Sequence, residues 1–336
     1  MKVVKIILKI LLAIIIIAGL VIAGFNLYHR FNSSEFYKSA EKEFIIPGLG
    51  DNFTPQGITY DENSGYYLIS GYMSDGTASR IYTVDPNTND YSYVSLKTEN
   101  GEPDVSHAGG IAAYGRYVLV AADEGLVEIF RLNDVTNTDL SEVQAFSTFK
   151  VENASENIYV NGDTLYVGEF YIAKNYETPE NHHYETDTGE KQQAIMLTYD
   201  VGEIIRSLSL DDAEEIQPIC AYAITDQVQG VCILKGGQIC LSTSWGLQVS
   251  HIKIYDDPAK TNLTSDNTFT LSNGKDIPVY YLDSDSLLVE YKLPPMAEEL
   301  YVQGDKVLIM CESACNKYVF GKLTNARNCF SFIPEF

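Results

Sequence analysis

The first apolar block of the chain is continuous: Ile10–Phe25 carries no polar side chain, and over Ile6–Tyr28 only Lys9 and Asn26 interrupt it. At ~1.5 Å per residue this run spans the ~30 Å hydrocarbon core of a bilayer, and it exceeds the ~7–15 residues of a cleaved leader's apolar region. Lys2, Lys5 and Lys9 precede it, so the positive-inside bias keeps the N-terminus in the cytoplasm and sends Asn26 onward out of it. Val21-Ile22-Ala23 has the small-residue character of a cleavage site, which leaves a cleaved leader as the alternative. The expectation is a single-pass protein of the cell membrane, with an anchor over 1–30, a linker over 31–42 and a domain over 43–336 outside the cytoplasm.

Beyond the anchor the pattern changes to short apolar runs separated by tight turns. Five segments repeat it: PQGITYDENSGYYLISGYM from Pro55, AGGIAAYGRYVLVAADEG from Ala108, SENIYVNGDTLYVGEFY from Ser155, VQGVCILKGGQICLSTSWG from Val228 and AEELYVQGDKVLIMCES from Ala297. Each holds a glycine turn (Gly65, Gly115, Gly162, Gly237, Gly304) between two apolar runs, the signature of a β-hairpin. The third residues, Gly57, Gly110, Asn157, Gly230 and Glu299, are spaced by 53, 47, 73 and 69. Repeats of that length with several strands each point to a propeller. Third strands are expected at Arg80–Val84, Leu126–Phe130, Ile195–Tyr199 and His251–Tyr255, and fourth strands at Phe146–Val151 and Leu288–Leu293. The last unit lacks its outer strand, and Glu43–Pro47 is placed to supply it, which removes an open edge. The predicted fold is an all-β, five-bladed β-propeller closed by the N-terminal strand. A sixth blade results if an insertion conceals another unit; the insertions are polar residues 175–193, a stretch of helical composition over 201–215, and a hairpin over 269–281.

Charge narrows the partners. The chain has 23 Lys plus Arg against 46 Asp plus Glu, and four of its basic residues lie in the anchor, so a domain this acidic is repelled by phosphate backbones and no nucleic-acid partner is expected. Six cysteines, none before Cys220, permit disulfides outside the cytoplasm or serve as small buried apolar groups, and their spacing does not suit a structural zinc.

The segments PQGITYDENSGYYLISGYM, SRIYTVD and HAGGIA resemble the bacterial extracytoplasmic propellers related to the SMP-30/gluconolactonase, strictosidine-synthase-like and YVTN or NHL repeat groups. In the lactonase-like members this resemblance implies a divalent metal in the central tunnel, held by Glu, Asn and Asp from the first strands. The equivalent starts here carry Gln56, Gly109, Glu156, Gln229 and Glu298, of which two are acidic, a departure from that pattern.

First strands of a propeller line its tunnel, so Gln56, His107, Glu156, Gln229 and Glu298 are expected at its mouth. Carboxylates and amides suit Ca²⁺, with Glu156 and Glu298 as metal ligands, or hydrogen bonding to a sugar or peptide. The ends of the second strands add Tyr72, Asp123, Phe170, Ser244 and Glu312, with Glu169 and the only tryptophan, Trp245, adjacent. Glu299 alternates away from Glu298 and reads as a packing position, and His182-His183 reads as part of a solvated loop. Serine-hydrolase, Walker, dinucleotide-binding and zincin motifs are absent. The expected function is a ligand-binding or protein-interaction module at the cell envelope, taking an envelope protein, peptide or carbohydrate. The alternatives are a metal-assisted hydrolase of lactonase or phosphoesterase type, and a five-bladed glycosidase using Glu156 and Glu298 with Asp123.

Overall fold

A computed structural model describes residues 2–208, 216–261 and 266–336. Five antiparallel four-stranded units are arranged as the blades of a β-propeller. Blade 1 comprises Phe53–Asp61, Tyr66–Met73, Arg80–Val84 and Tyr91–Lys97, and blade 2 Ile111–Tyr114, Tyr117–Ala122, Leu126–Arg131 and Ser147–Lys150. Blade 3 comprises Asn157–Asn161, Thr164–Gly168, Ala194–Asp200 and Cys220–Ile224, and blade 4 Val228–Ile233, Ile239–Thr243, Ser250–Tyr255 and Leu287–Leu293. Blade 5 is built from Ala297–Gln303, Lys306–Cys311 and Asn328–Phe332, and its outer strand is Glu41–Ile45, antiparallel to Asn328–Phe332 with Glu41 opposite Ser331 and Ile45 opposite Asn328. The five turn glycines all adopt positive φ, between 59° and 92°, the region where a side chain is costly and hairpin turns need it.

Buried apolar residues form clusters between neighbouring blades. Ile69, Tyr82 and Met310 join blades 1 and 5; Ile81, Val120 and Phe130 join blades 1 and 2; Leu119, Leu165 and Leu197 join blades 2 and 3; Val231, Ile252 and Ile309 join blades 4 and 5. Among the described residues the insertions build no sixth blade. Glu142–Gln144 adds a parallel strand to the outer edge of blade 1, and Asp276–Tyr281, paired with Thr268–Thr270, does the same for blade 3. Both cover edges that would otherwise expose unpaired backbone. Of the stretch expected to be helical, Val201–Ser207 is a helix capped by Asp200, and 209–215 lie outside the described residues.

The N-terminal helix, Lys2–Asn32, is long and apolar enough to cross a membrane or to act as a signal sequence. Residues 31–42, expected as a linker, comprise the end of this helix, a short helix and the start of the closing strand. Helix Ser34–Ser39 buries Phe36 between Phe330 and Phe332, each ring centroid 5.7 Å away, before the chain enters the closing strand. All six cysteines are buried and free, Cys311 and Cys315 included, so the thiols fill the core as small apolar groups.

Candidate functional site

At the end of the propeller where the first strands begin lies a cavity of about 500 Å³. Its lining includes Gln56, His107, Asp123, Glu156, Gln229, Trp245 and Glu312, together with Tyr72, Phe170 and Ser244. These positions converge because the repeat starts depart from the regular ladder. Register breaks fall between Pro55 and Gly57, between Val228 and Gly230, and between Ala297 and Leu300, while the ladders of blades 2 and 3 begin only after Gly109 and Glu156. Bulges of this kind re-aim side chains out of the pleat. Left-handed backbone at Ala108, Gln227 and Met296, just before the first strands of blades 2, 4 and 5, marks the same rim.

The two sides of the cavity differ. On the side of blades 3 and 4, Phe170, Tyr176 and Trp245 form an aromatic wall, with Trp245 6.0 Å from each of the other two rings and Phe170 5.5 Å from Tyr176. On the side of blades 1, 2 and 5, His107 stacks on Tyr72 at 4.5 Å, and the Lys317 ammonium donates to the Tyr72 hydroxyl and lies 5.2 Å from the Tyr318 ring centroid. The His107 backbone N–H donates to Asp123 at 3.1 Å. Gln56 donates to Glu312 at 3.0 Å, linking blades 1 and 5 beneath the mouth.

Two lining carboxyls are held near neutrality. Burial pushes Glu156 up to about 7, with the negative charges of Asp123 and Glu169 adding to it. Burial likewise pushes Glu312 up to about 7 against the opposing effects of Tyr318, Lys317 and Gln56. Asp123 and Glu124 also line the mouth, so acidic groups outnumber the single lysine.

Two expected site residues are not in this lining. Glu169 is fully buried beside it, where it accepts from the Ile195 N–H at 3.0 Å and the Ala154 N–H at 3.3 Å and pairs with His182 Nδ1 at 2.8 Å. His182, expected in a solvated loop, is therefore buried: the insertion folds back onto blade 3 to reach this carboxylate. Glu298 is 2 % exposed, its carboxyl is pushed well up by burial and by the Glu312 charge, and its Oε1 has no hydrogen-bond partner. Glu156 and Glu298 thus sit among different neighbours, and among the described residues no group of three His, Cys, Asp or Glu side chains is placed to hold a metal ion.

Glu299 is not a mere packing position. The register break at Ala297–Leu300 turns its carboxylate onto the propeller axis, where Oε2 accepts the N–H groups of Ile58 at 2.9 Å and Ile111 at 3.0 Å, and Oε1 that of Ile158 at 3.3 Å. One side chain of blade 5 therefore ties the inner strands of blades 1, 2 and 3 and forms a floor on the axis. Gly57 and Gly110 permit the approach, since a Cβ at either would lie within 2.8 Å of that carboxylate. Lys317, Tyr318 and Tyr176 were not foreseen as site residues; they come from connections with no counterpart in the repeat.

No protein-family model and no curated protein matches the chain. Among solved structures it is similar to the PQQ-bound aldose sugar dehydrogenase of Streptomyces coelicolor (14% identity, 88% of this chain and 98% of that one, TM-score 0.48). It is also similar to the glutaminyl cyclase of Myxococcus xanthus (9%, 80% and 90%, 0.42) and to BamB of Moraxella catarrhalis (8%, 83% and 85%, 0.34). Likenesses this distant identify no family and carry no functional argument; the propeller itself rests on the five sheets of the chain.

Proposed function

We propose that this chain is a membrane-anchored, extracytoplasmic propeller whose cavity binds a small polar ligand with an apolar face: a neutral or amine-bearing carbohydrate, or a peptide end. The observation that carries this reading is the pairing, in one cavity, of an aromatic wall (Phe170, Tyr176, Trp245) with amide and carboxyl groups (Gln56, Gln229, Glu156, Glu312). Aromatic rings receive the C–H face of a sugar or an aliphatic amine, and the amides and carboxyls take its hydroxyl or N–H groups. The surplus of carboxyls disfavours anionic ligands.

Thermal unfolding of the full chain in detergent, with neutral, amino and uronic sugars and short peptides, tests the proposal. A ligand at a hundredfold excess over Kd stabilises by about 2.7 kcal/mol. Neutral or amine-bearing compounds are expected to raise Tm and uronates to leave it unchanged; a Tm unmoved by every compound, or raised by uronates alone, contradicts the reading. A hydrolytic role has one observation in its favour, the two carboxyls held near 7 in the same cavity, and it would use acid–base chemistry by Glu156 and Glu312.

A further inference from the structure

The connection between the second and third strands of blade 5 reaches two surroundings at once. Lys317 and Tyr318 line the cavity, whereas the next two residues, Val319 and Phe320, are 72% and 68% exposed. Immediately after them, the turn Gly321–Thr324 packs on the base of the N-terminal helix. The connection is folded on itself by hydrogen bonds from Lys322 N–H to the Tyr318 carbonyl at 3.2 Å and between the Ser313 and Thr324 hydroxyls at 3.0 Å. Val319 and Phe320 are thus held outward on a built turn.

The helix meets the propeller only at its base. His29 is 3% exposed and Ser33 is buried, while residues 2–24 are exposed throughout. The apolar run ends at Phe25, and His29 lies four residues further on, about 6 Å along the axis at ~1.5 Å per residue. The polar interfacial layer on each side of a bilayer is itself ~5–7 Å thick. A helix that crosses the membrane therefore brings the turn packed on its base into that layer. The immediate surroundings suit it: Arg30, Lys322 and Arg327 are exposed there, on a chain otherwise rich in acid.

We propose that Lys317–Lys322 is a second membrane contact, with Val319 and Phe320 entering the interfacial layer of the bilayer spanned by the N-terminal helix, so that the cavity mouth is held beside the lipid surface. The occupant of this exposed apolar pair is the lipid bilayer. The proposal rests on the membrane-anchor reading, and its test separates the two.

The full chain is reconstituted in phosphatidylcholine–phosphatidylglycerol vesicles with plain or brominated acyl chains. Trp245→Phe removes the only native tryptophan, and single tryptophans are introduced by Phe320→Trp, by Leu20→Trp in the apolar run, and by Asp305→Trp in the blade 5 hairpin at the opposite end of the propeller. Brominated lipid is expected to lower the emission of Leu20→Trp and Phe320→Trp and leave Asp305→Trp unchanged. Aqueous iodide, added to both sides of the vesicles, should quench only Asp305→Trp. Quenching of Leu20→Trp by bromine with Phe320→Trp behaving like Asp305→Trp overturns the contact and keeps the anchor; loss of quenching at Leu20→Trp as well overturns both.

Discussion

Replacing Glu299 by Ala removes, in one change, the acceptor for the buried N–H groups of Ile58, Ile111 and Ile158. Leaving buried donors unpaired costs about 1–3 kcal/mol each, so a loss of at least about 3 kcal/mol is expected. Glu299→Gln keeps one oxygen but turns an amide N–H₂ toward a backbone donor, and an intermediate loss on the order of 1–3 kcal/mol follows. Denaturant unfolding of the three proteins measures this; coincident midpoints would mean that the axis is held by other contacts. Glu156 makes a different prediction, about pH. Its folded carboxyl is raised to about 7 from an ordinary 4.5, so the folded state binds more protons between these values. Its stabilising contribution is complete below pH 4.5 and is lost as pH rises through 7. Glu156→Gln should therefore leave stability near pH 4 unchanged and raise it on the order of 1–3 kcal/mol at pH 8, relative to the parent. Equal effects at both pH values would contradict the burial of that charge.

At the scale of elements, closure depends on the strand Glu41–Ile45. Phe44 is 3% exposed and packs 5.0 Å from the Tyr67 ring of blade 1. Phe44→Ala should cost about 3–5 kcal/mol, and a chain starting at Asp51 should aggregate through the bared edge of Asn328–Phe332. A truncated chain that melts with the parent would place the closing contact elsewhere. This element was legible in the sequence because a blade is local: alternation and a glycine turn mark each hairpin, and the missing strand of the last unit stood out against four complete ones. The site was legible as far as the repeat reached, which explains Gln56, Glu156, Gln229 and Trp245. Glu299 was misread because alternation assumes an unbroken ladder, and the one-residue bulge between Ala297 and Leu300 reverses which carboxylate faces the axis. Lys317 and Tyr318 sit on a connection without periodicity, and His182 is buried by an insertion whose partner, Glu169, carries no local sign of the pairing.

For the whole molecule, five blades place a cavity at one end of a rigid ring, and the packed segment Ser34–Ser39 fixes that ring to the base of an apolar helix. On the proposed reading, the acidic body and acidic mouth favour neutral or cationic ligands. Because Trp245 is the only tryptophan and lines this cavity, its emission reports occupancy without a label. The most direct test of the account is a titration of Trp245 fluorescence in the full chain with the compound that most raises Tm, repeated on Glu156→Gln and on Phe170→Ala. The account predicts a saturable change in emission, weakened by roughly 1–3 kcal/mol, about fivefold or more in Kd, when either the carboxyl or the aromatic wall is removed. A stabilising compound that leaves Trp245 emission unchanged, or whose Kd is the same in all three proteins, would contradict the claim that this cavity is the binding site.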